Sequence, residues 1–420
     1  MKTLLVIGYV WPEPNSSAAG SRMMQLIQSF QAMDYQVHYA SPAQASDHAI
    51  DFASQHITPH AIKVNNSSFD SLCRELEPDA VLFDRFMMEE QFSWRVEKVC
   101  PNALRVLDTE DLHCLRFTRQ RLAKGNQDVV DTVDLQQLMQ DERCVRELAA
   151  IYRCDITLMI SQFEMTLLQD SLAVPADLLH YTPFMLTEDQ CQMNTTEFQQ
   201  RQHFVSIGNF RHEPNWDAVL QLKQVIWPLI RRSLPKAELH IYGAYPPKKA
   251  TQLHNPKQGF LVKGWCENAQ EMVSQARVLL APLRFGAGLK GKIIEAAQCG
   301  TPAVTTSIGI EGISDTQEKN HAVVHDDFAH FAQAAIELYS NQDTWQQRHG
   351  QCTEVLSKFK QADHQQSLVN RLNQLSSQLV QHRLQNIVGT ILRHHSMKST
   401  QYMSQWIESK NQLAKLRKSD

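Results

Sequence analysis

Residues 278–306 read VLLAPLRFGAGLKGKIIEAAQCGTPAVTT, and this stretch decides the fold. Val278 to Ala281 is a short, wholly apolar run of strand character, stopped by Pro282. A loop follows that carries Gly286, Gly288 and Gly291 among Arg284, Lys290 and Lys292. Ile293, Ile294, Ala296 and Ala297 then recur at helical spacing up to Gly300, and Thr301-Pro302 leads into a second apolar run at Ala303-Val304-Thr305. Strand, glycine loop, helix and strand in that order make the repeating unit of a parallel sheet covered on both faces. Glycines let backbone amides approach an anion, a helix N-terminus presents unpaired N–H groups with partial positive charge, and the lysines add formal charge. The stretch predicts a diphosphate-type ligand. It matches neither the Walker loop nor a strict GxGxxG.

The same alternation extends in both directions. Phe204–Ile207, Glu238–Tyr242 and Phe260–Val262 are strand candidates upstream, with helical spacing between them. Further back, Thr3–Gly8, Gln36–Ala40, Ala80–Phe83, Leu104–Leu107 and Ile156–Ile160 repeat the pattern. Leu186 to Gln202 is polar, rich in Gln, Thr and Asn, and reads as a linker. The expected architecture is α/β: two Rossmann-like domains, 1–187 and 203–345, facing across a ligand cleft, with a C-terminal helical extension over 346–420. Leu368, Leu372, Leu375 and Leu379 mark an apolar stripe in that extension.

Composition narrows the class. The 420 residues are 43% hydrophobic and 20% charged, ordinary values for a soluble chain able to build a large core. A net charge of -4 gives no electrostatic reason to expect a nucleic-acid partner. No apolar run is long enough to span a bilayer, and the first strand is too short and poorly flanked for a signal peptide. Nine cysteines, scattered and without a Cys-x-x-Cys pair, read as reduced thiols in a cytoplasmic protein. Eighteen histidines include no His-Glu-x-x-His pattern, and no metal or other cofactor is expected.

The segment from Pro282 to Ala296, continued through Gly300–Thr306 to Gly309–Gly312, resembles the donor-binding segment of retaining B-fold (GT-B) glycosyltransferases of the large group-1 family. Gly208–Asn215 is similar to that family's first loop of the C-terminal domain, and Ile241–Gly243 and Gly264–Cys266 to its strand-glycine and nucleobase turns. The resemblance implies a glycosyltransferase whose substrates are a nucleotide-sugar donor and a saccharide or lipid-linked acceptor. It implies that Glu295 holds the donor ribose and that Arg211 and Lys292 neutralise the departing diphosphate. Gly243, Trp265, Gly286, Gly288 and Lys290 complete the implied donor site. The family's earlier glutamate, eight positions before Glu295, falls at Ala287. That departure makes a catalytically silent nucleotide-sugar-binding protein of the same fold the alternative.

On the acceptor side the resemblance points to Gly20 and Arg22 after the first strand, and to Asp111 and His113 in the segment Asp108–Arg116. His113 would contact the donor sugar or orient the acceptor hydroxyl. Asp84-Arg85 with Glu89-Glu90 is another polar cluster after a strand, which a solvated helix start explains equally well, and Ser161 with Glu164 reads as an N-cap and its capping-box partner. A nicotinamide- or flavin-dependent enzyme is disfavoured, because the loop after the first strand is broken by prolines and lacks the glycine fingerprint. In the tail, Arg383, Arg393, Lys398, Lys410, Lys415, Arg417 and Lys418 stand against Glu408 and Asp420. Ile387, Ile391, Tyr402, Met403, Trp406 and Ile407 recur at roughly helical spacing there. Two readings follow: a helix packed back on the first domain, or an amphipathic segment on the inner face of an anionic membrane.

Overall fold

Strands of a parallel sheet covered by helices on both faces must be apolar along their length, and the chain meets that demand twice. The computed structural model describes residues 2–44, 46, 48–126, 129–314 and 320–419. The first sheet contains β1 (Lys2–Ile7), β2 (Tyr35–Ser41), β3 (Ile57–Ala61), β4 (Ala80–Asp84), β5 (Leu104–Asp108), β6 (Ile156–Met159) and β7 (Leu179–Tyr181), in the order β3-β2-β1-β4-β5-β6-β7. The second contains β8 (Gln202–Ile207), β9 (Leu239–Tyr242), β10 (Phe260–Gly264), β11 (Ala276–Ala281), β12 (Ala303–Thr305) and β13 (Ala322–Val324), in the order β10-β9-β8-β11-β12-β13. All strand pairs are parallel; Leu4 to Ile7 of β1 lie opposite Ala80 to Phe83 of β4, and all eight residues are fully buried. The order reverses beside β1 and beside β8, which places both switch points at the cleft between the domains, where α/β ligands bind.

The helices that matter for the site are α1 (Ala18–Gln31), α2 (Phe86–Val99), α3 (His113–Asn126), α4 (Glu142–Arg153), α5 (Gln162–Thr166), α6 (Glu213–Gln221) and α7 (Gly291–Gln298). Towards the C-terminus, α8 (Phe328–Ser340) covers the second sheet, and α9 (Gln361–Ser377), α10 (Leu379–Gln385) and α11 (Ile387–Ser419) return to the first domain. The return is pinned where Leu186 exchanges backbone bonds with Phe359 and Gln361, both 2.7 Å. Leu368, Leu372 and Leu375 of the expected stripe enter the core of Leu4, Val6 and Phe30.

The segment read as a polar linker is packed rather than loose. Arg201 is fully buried and donates to the Thr301 hydroxyl and the Cys299 carbonyl, each at 2.7 Å. A guanidinium that satisfies carbonyls at a helix end makes a polar sequence part of the core boundary.

Candidate functional site

The floor of the donor half is built from strand ends that come unusually close. A Cβ on Gly243 would lie 2.1 Å from the Gly208 carbonyl oxygen, so β8 and β9 can converge there only without a side chain. Above Gly208 lies the Lys292 ammonium, which donates to Asn215 Oδ1 at 2.7 Å. Asn215 in turn donates to the Asn209 carbonyl at 3.0 Å, and Asn209 Oδ1 accepts the Arg211 amide at 2.9 Å. The loop Gly208–Asn215 is thus a frame for one lysine. Asn215 had no role in the sequence reading, although its signal was present in the same quoted segment.

Lys292 occupies the first turn of α7, whose N-cap, Lys290, makes no side-chain capping bond. Glu295 follows one turn later. Burial pushes the Lys292 ammonium down to about 8, with the Glu295 charge opposing that shift. Burial likewise pushes the Glu295 carboxyl up to about 7, with Lys292 opposing. A half-buried cation and anion in the first turns of a helix without a side-chain cap match the chemistry of a group carrying both phosphate and hydroxyls. Trp265 stacks on His48 of the first domain with centroids 5.0 Å apart, and Arg211 lies 3.6 Å over the Tyr245 ring. The Tyr245 hydroxyl donates to Glu13 at 2.9 Å, so this rim of the cleft joins the two domains.

Across the cleft, Asp111 accepts from Arg116 Nε at 2.7 Å and lies 3.4 Å from His113 Nε2. Arg116 and His113 hold the Asp111 carboxyl well below the usual carboxylate range against its burial. His113 is pushed down to about 3, by burial first, and Asp111 only partly restores it. It is therefore a neutral imidazole, set between Phe86 and Phe117, that can accept or donate one hydrogen bond. Its position is fixed by Glu147 of α4, whose carboxylate accepts the His113 and Cys114 amides at 2.8 and 2.7 Å and so caps α3.

Several expectations are corrected. Arg22 does not face the cleft: it is fully buried, paired with Asp108 at 2.8 Å and bonded to the carbonyls of Thr182 and Pro183. Gly20 makes room for the chain's own loop rather than for substrate, since a Cβ there would sit 2.4 Å from the Glu13 carbonyl carbon. The Lys290 ammonium is tied to the Gly288 carbonyl at 2.7 Å and to Glu311 at 3.6 Å. Gly286 and Gly288 serve the domain contact in this conformation. The Gly286 carbonyl accepts from the buried Arg119, and the Gly288 amide donates to Glu164 Oε1 at 2.7 Å.

That last bond overturns the capping box. Ser161 makes no side-chain capping bond, and Glu164 is fully buried with Oε1 accepting the Leu112 and Gly288 amides. Its Oε2 is buried with no partner among the described residues, and burial together with the Asp111 charge pushes the carboxyl up to about 8. Both facts describe a neutral carboxylic acid that clasps the glycine loop of one domain to the Asp111 loop of the other. Ala287, between the two glycines, packs against the apolar core of the first domain. Asp84-Arg85 is likewise no solvated start. Asp84 is buried and accepts the Tyr9 amide at 2.9 Å, and Arg85 sits at φ +72° beside it, over the Tyr9 ring. A non-glycine residue held there is strained, and the polar-cluster reading of Asp84-Arg85 fits the structure where the solvated start does not.

With this geometry in place, comparisons identify the site's relatives. Residues 201–341 match the family model of the glycosyl transferases group 1. A search of curated protein sequences finds no match. Among solved structures, sucrose-phosphate synthase from Thermosynechococcus elongatus is similar at 14% identity and TM-score 0.66, covering 90% of this chain and 100% of that one. HepE from Anabaena, in complex with UDP and glucose, aligns at 9% identity and TM-score 0.66, covering 89% and 100%. TarM from S. aureus, in complex with UDP and saccharide ligands, aligns at 9% identity and TM-score 0.67, again covering 89% and 100%.

Proposed function

We propose that this chain, whose residues 201–341 match the group 1 glycosyltransferase model and whose fold is that of two-domain GT-B structures, is a glycosyltransferase that transfers a sugar, with retention, from a nucleoside-diphosphate sugar to a saccharide or lipid-linked acceptor in the cytoplasm. The observation that carries the reading is the pairing of Lys292, fixed by Asn215 over Gly208, with Glu295 one turn further along the uncapped α7. Lys292 and Arg211 meet the charge that grows on the departing diphosphate, which is where preorganised cations lower a barrier most. Glu295 accepts the ribose hydroxyls, and the Trp265 turn receives the base. UDP in the structures of HepE and TarM supports a nucleotide of this kind. Neutral His113, held by Asp111 and Glu147, is a hydrogen-bonding group for the sugar or the acceptor hydroxyl rather than a proton donor. In this reading Lys292 and Arg211 take the part at the diphosphate that a metal ion would otherwise play, and no metal is required.

The test is release of nucleoside diphosphate from a panel of UDP-, GDP-, ADP- and TDP-sugars with saccharide acceptors. Turnover with one donor, reduced more in kcat than in KM by Lys292→Ala and Arg211→Ala, supports leaving-group stabilisation. Tight donor binding with no turnover on any acceptor would favour the silent binding protein.

The acceptor side extends to a surface. Among the described residues no helix is long and apolar enough to cross a membrane. The α11 helix docks on α2 and α4 through Met397, Ser404 and Glu408, yet Ile391, Tyr402, Met403, Trp406, Leu413 and Leu416 on its other face stay exposed. Lys398 and Lys410 flank that stripe; the Lys418 side chain and Asp420 lie outside the described residues. This face is suited to an anionic membrane, where a lipid-linked acceptor is found, with about 1 kcal/mol from each basic residue at the surface. In vesicle sedimentation the full chain should pellet with anionic vesicles at low salt and a version ending near Leu379 should not. Equal behaviour of the two removes the membrane contact.

A further inference from the structure

The donor domain's sheet has a second end, away from the cleft. Gly208, Gly243 and Gly264 close the strands at the cleft, whereas His203 lies at the start of β8 and Glu238 just before β9. The parallel register pairs Phe204 with Leu239 and Val205 with His240, which brings these two strand starts side by side. Glu238 and His240 are two residues apart and share one face of the strand. His203 reaches the same place by a different device. Its backbone is left-handed, φ +64°, which turns its amide to the Tyr339 hydroxyl at 3.3 Å and sets its ring 4.8 Å from that of His240. Strain of this kind persists only where the surroundings hold it, and it marks a place to look for function.

The three side chains converge. Glu238 Oε2 is 2.9 Å from His240 Nε2 and 3.9 Å from His203 Nε2, and the three ligand atoms all lie within 4.8 Å of one another. We propose that His203, Glu238 and His240 form a binding site for a divalent transition-metal ion of the zinc class, completed by water. Two imidazole nitrogens and one carboxylate oxygen are a zinc-type donor set, whereas magnesium and calcium require oxygen ligands throughout. Bonds of about 2.0–2.2 Å place tetrahedral ligand atoms roughly 3.3 Å apart, between the two distances observed. The side chains are 34%, 39% and 19% exposed for His203, Glu238 and His240, so an ion enters from solvent without rearrangement of the core. Binding needs His240 in the tautomer that leaves Nε2 without a proton. Lys263 and Arg277 lie near His203 and oppose a dication, which weakens its binding. Arg277 is already engaged by the Arg201 carbonyl at 2.7 Å. The ion would cross-link the starts of β8 and β9 and take no part in the cleft chemistry.

Titration of the full chain with Zn2+ in a calorimeter, and with Co2+ followed by its visible absorption, tests the site. One equivalent should bind, weakened at least about ten-fold by either His240→Ala or Glu238→Gln, with loss of the four-coordinate cobalt bands. A His394→Ala, His395→Ala double variant should bind as the parent does, which separates this site from the exposed histidine pair on α11. Nucleotide-sugar binding should be unchanged in Glu238→Gln. An absent isotherm, or one that both site variants leave unaltered, would overturn the proposal. If His240→Ala melts early without metal, Glu238→Gln alone decides.

Discussion

Lys292 and Glu295 are three residues apart on one helix turn, and their shifted acidities give the site a pH signature. Donor capture needs the Glu295 carboxylate, which is lost as pH falls through about 7, and the Lys292 ammonium, which is lost as pH rises through about 8. The free enzyme should therefore show a narrow bell in kcat/KM between those limits. Glu295→Gln should flatten the acid limb and weaken donor binding by about 1–3 kcal/mol, and Lys292→Arg should remove the alkaline limb. A pH profile that neither change alters would remove the pair from the site. Glu164 gives a second signature. Its folded acidity, about 8, lies above the unfolded value, so the folded chain keeps a proton that the unfolded chain sheds, and stability falls as pH rises towards 8. Glutamine mimics the neutral acid and cannot ionise. Melting of Glu164→Gln should therefore gain on the parent between pH 5 and 8, whereas Glu164→Ala should melt lower throughout. A difference independent of pH would mean that Glu164 is ionised in its clasp. At this scale the local pattern was legible, because Lys292 and Glu295 belong to one loop and one helix. Glu164 and Arg22 were not, because their partners lie in segments far along the chain or on the other domain.

Among the elements, every strand expected from an apolar run is present, and three were not foreseen. The edge strand β3 reads ITPHA, with an outer face in water and a proline that only an edge tolerates. The other two, β7 and β13, are three residues each, too short for any period to show. The C-terminal helices were legible as helices, and one of the two readings of the tail had a helix packed back on the first domain; the ion pairs that pin the return were not legible. Arg383 of α10 binds both Asp155 oxygens at 2.8 and 2.7 Å and donates to the Pro101 and Ala103 carbonyls. Asp155 is 1% exposed, so Arg383→Ala leaves a buried carboxylate that keeps the Arg105 amide at 2.8 Å but loses its bidentate partner. The change should cost about 2–4 kcal/mol in urea unfolding. A loss below about 0.5 kcal/mol would show that the strap rests on apolar contact alone.

For the molecule as a whole, the two-domain plan was readable from two runs of strand and helix, whereas the tightness of their contact was not. Arg119 is fully buried between the domains, bonded to Glu311 at 2.6 and 3.0 Å, to the Gly286 carbonyl and to the Asp131 carbonyl. A Cβ on Gly291 would lie 2.8 Å from the Ala18 Cβ, so the N-termini of α7 and α1 meet across the cleft. No periodicity in a sequence reports such contacts, since they join helix ends of separate units. Arg119→Met should loosen the closed arrangement and enlarge the radius of gyration in solution scattering, and addition of donor should reverse part of the change. An unchanged radius would place the hold on the other contacts. The central claim is that the cleft between the sheets is a nucleotide-sugar site centred on α7. Calorimetric titration of UDP-, GDP-, ADP- and TDP-sugars into the parent, Lys292→Ala and Glu295→Ala tests it most directly. The account predicts one donor class bound by the parent, weakened at least about ten-fold in each variant, corresponding to about 1.4 kcal/mol. Absence of binding by every donor, or equal binding by all three proteins, would contradict it.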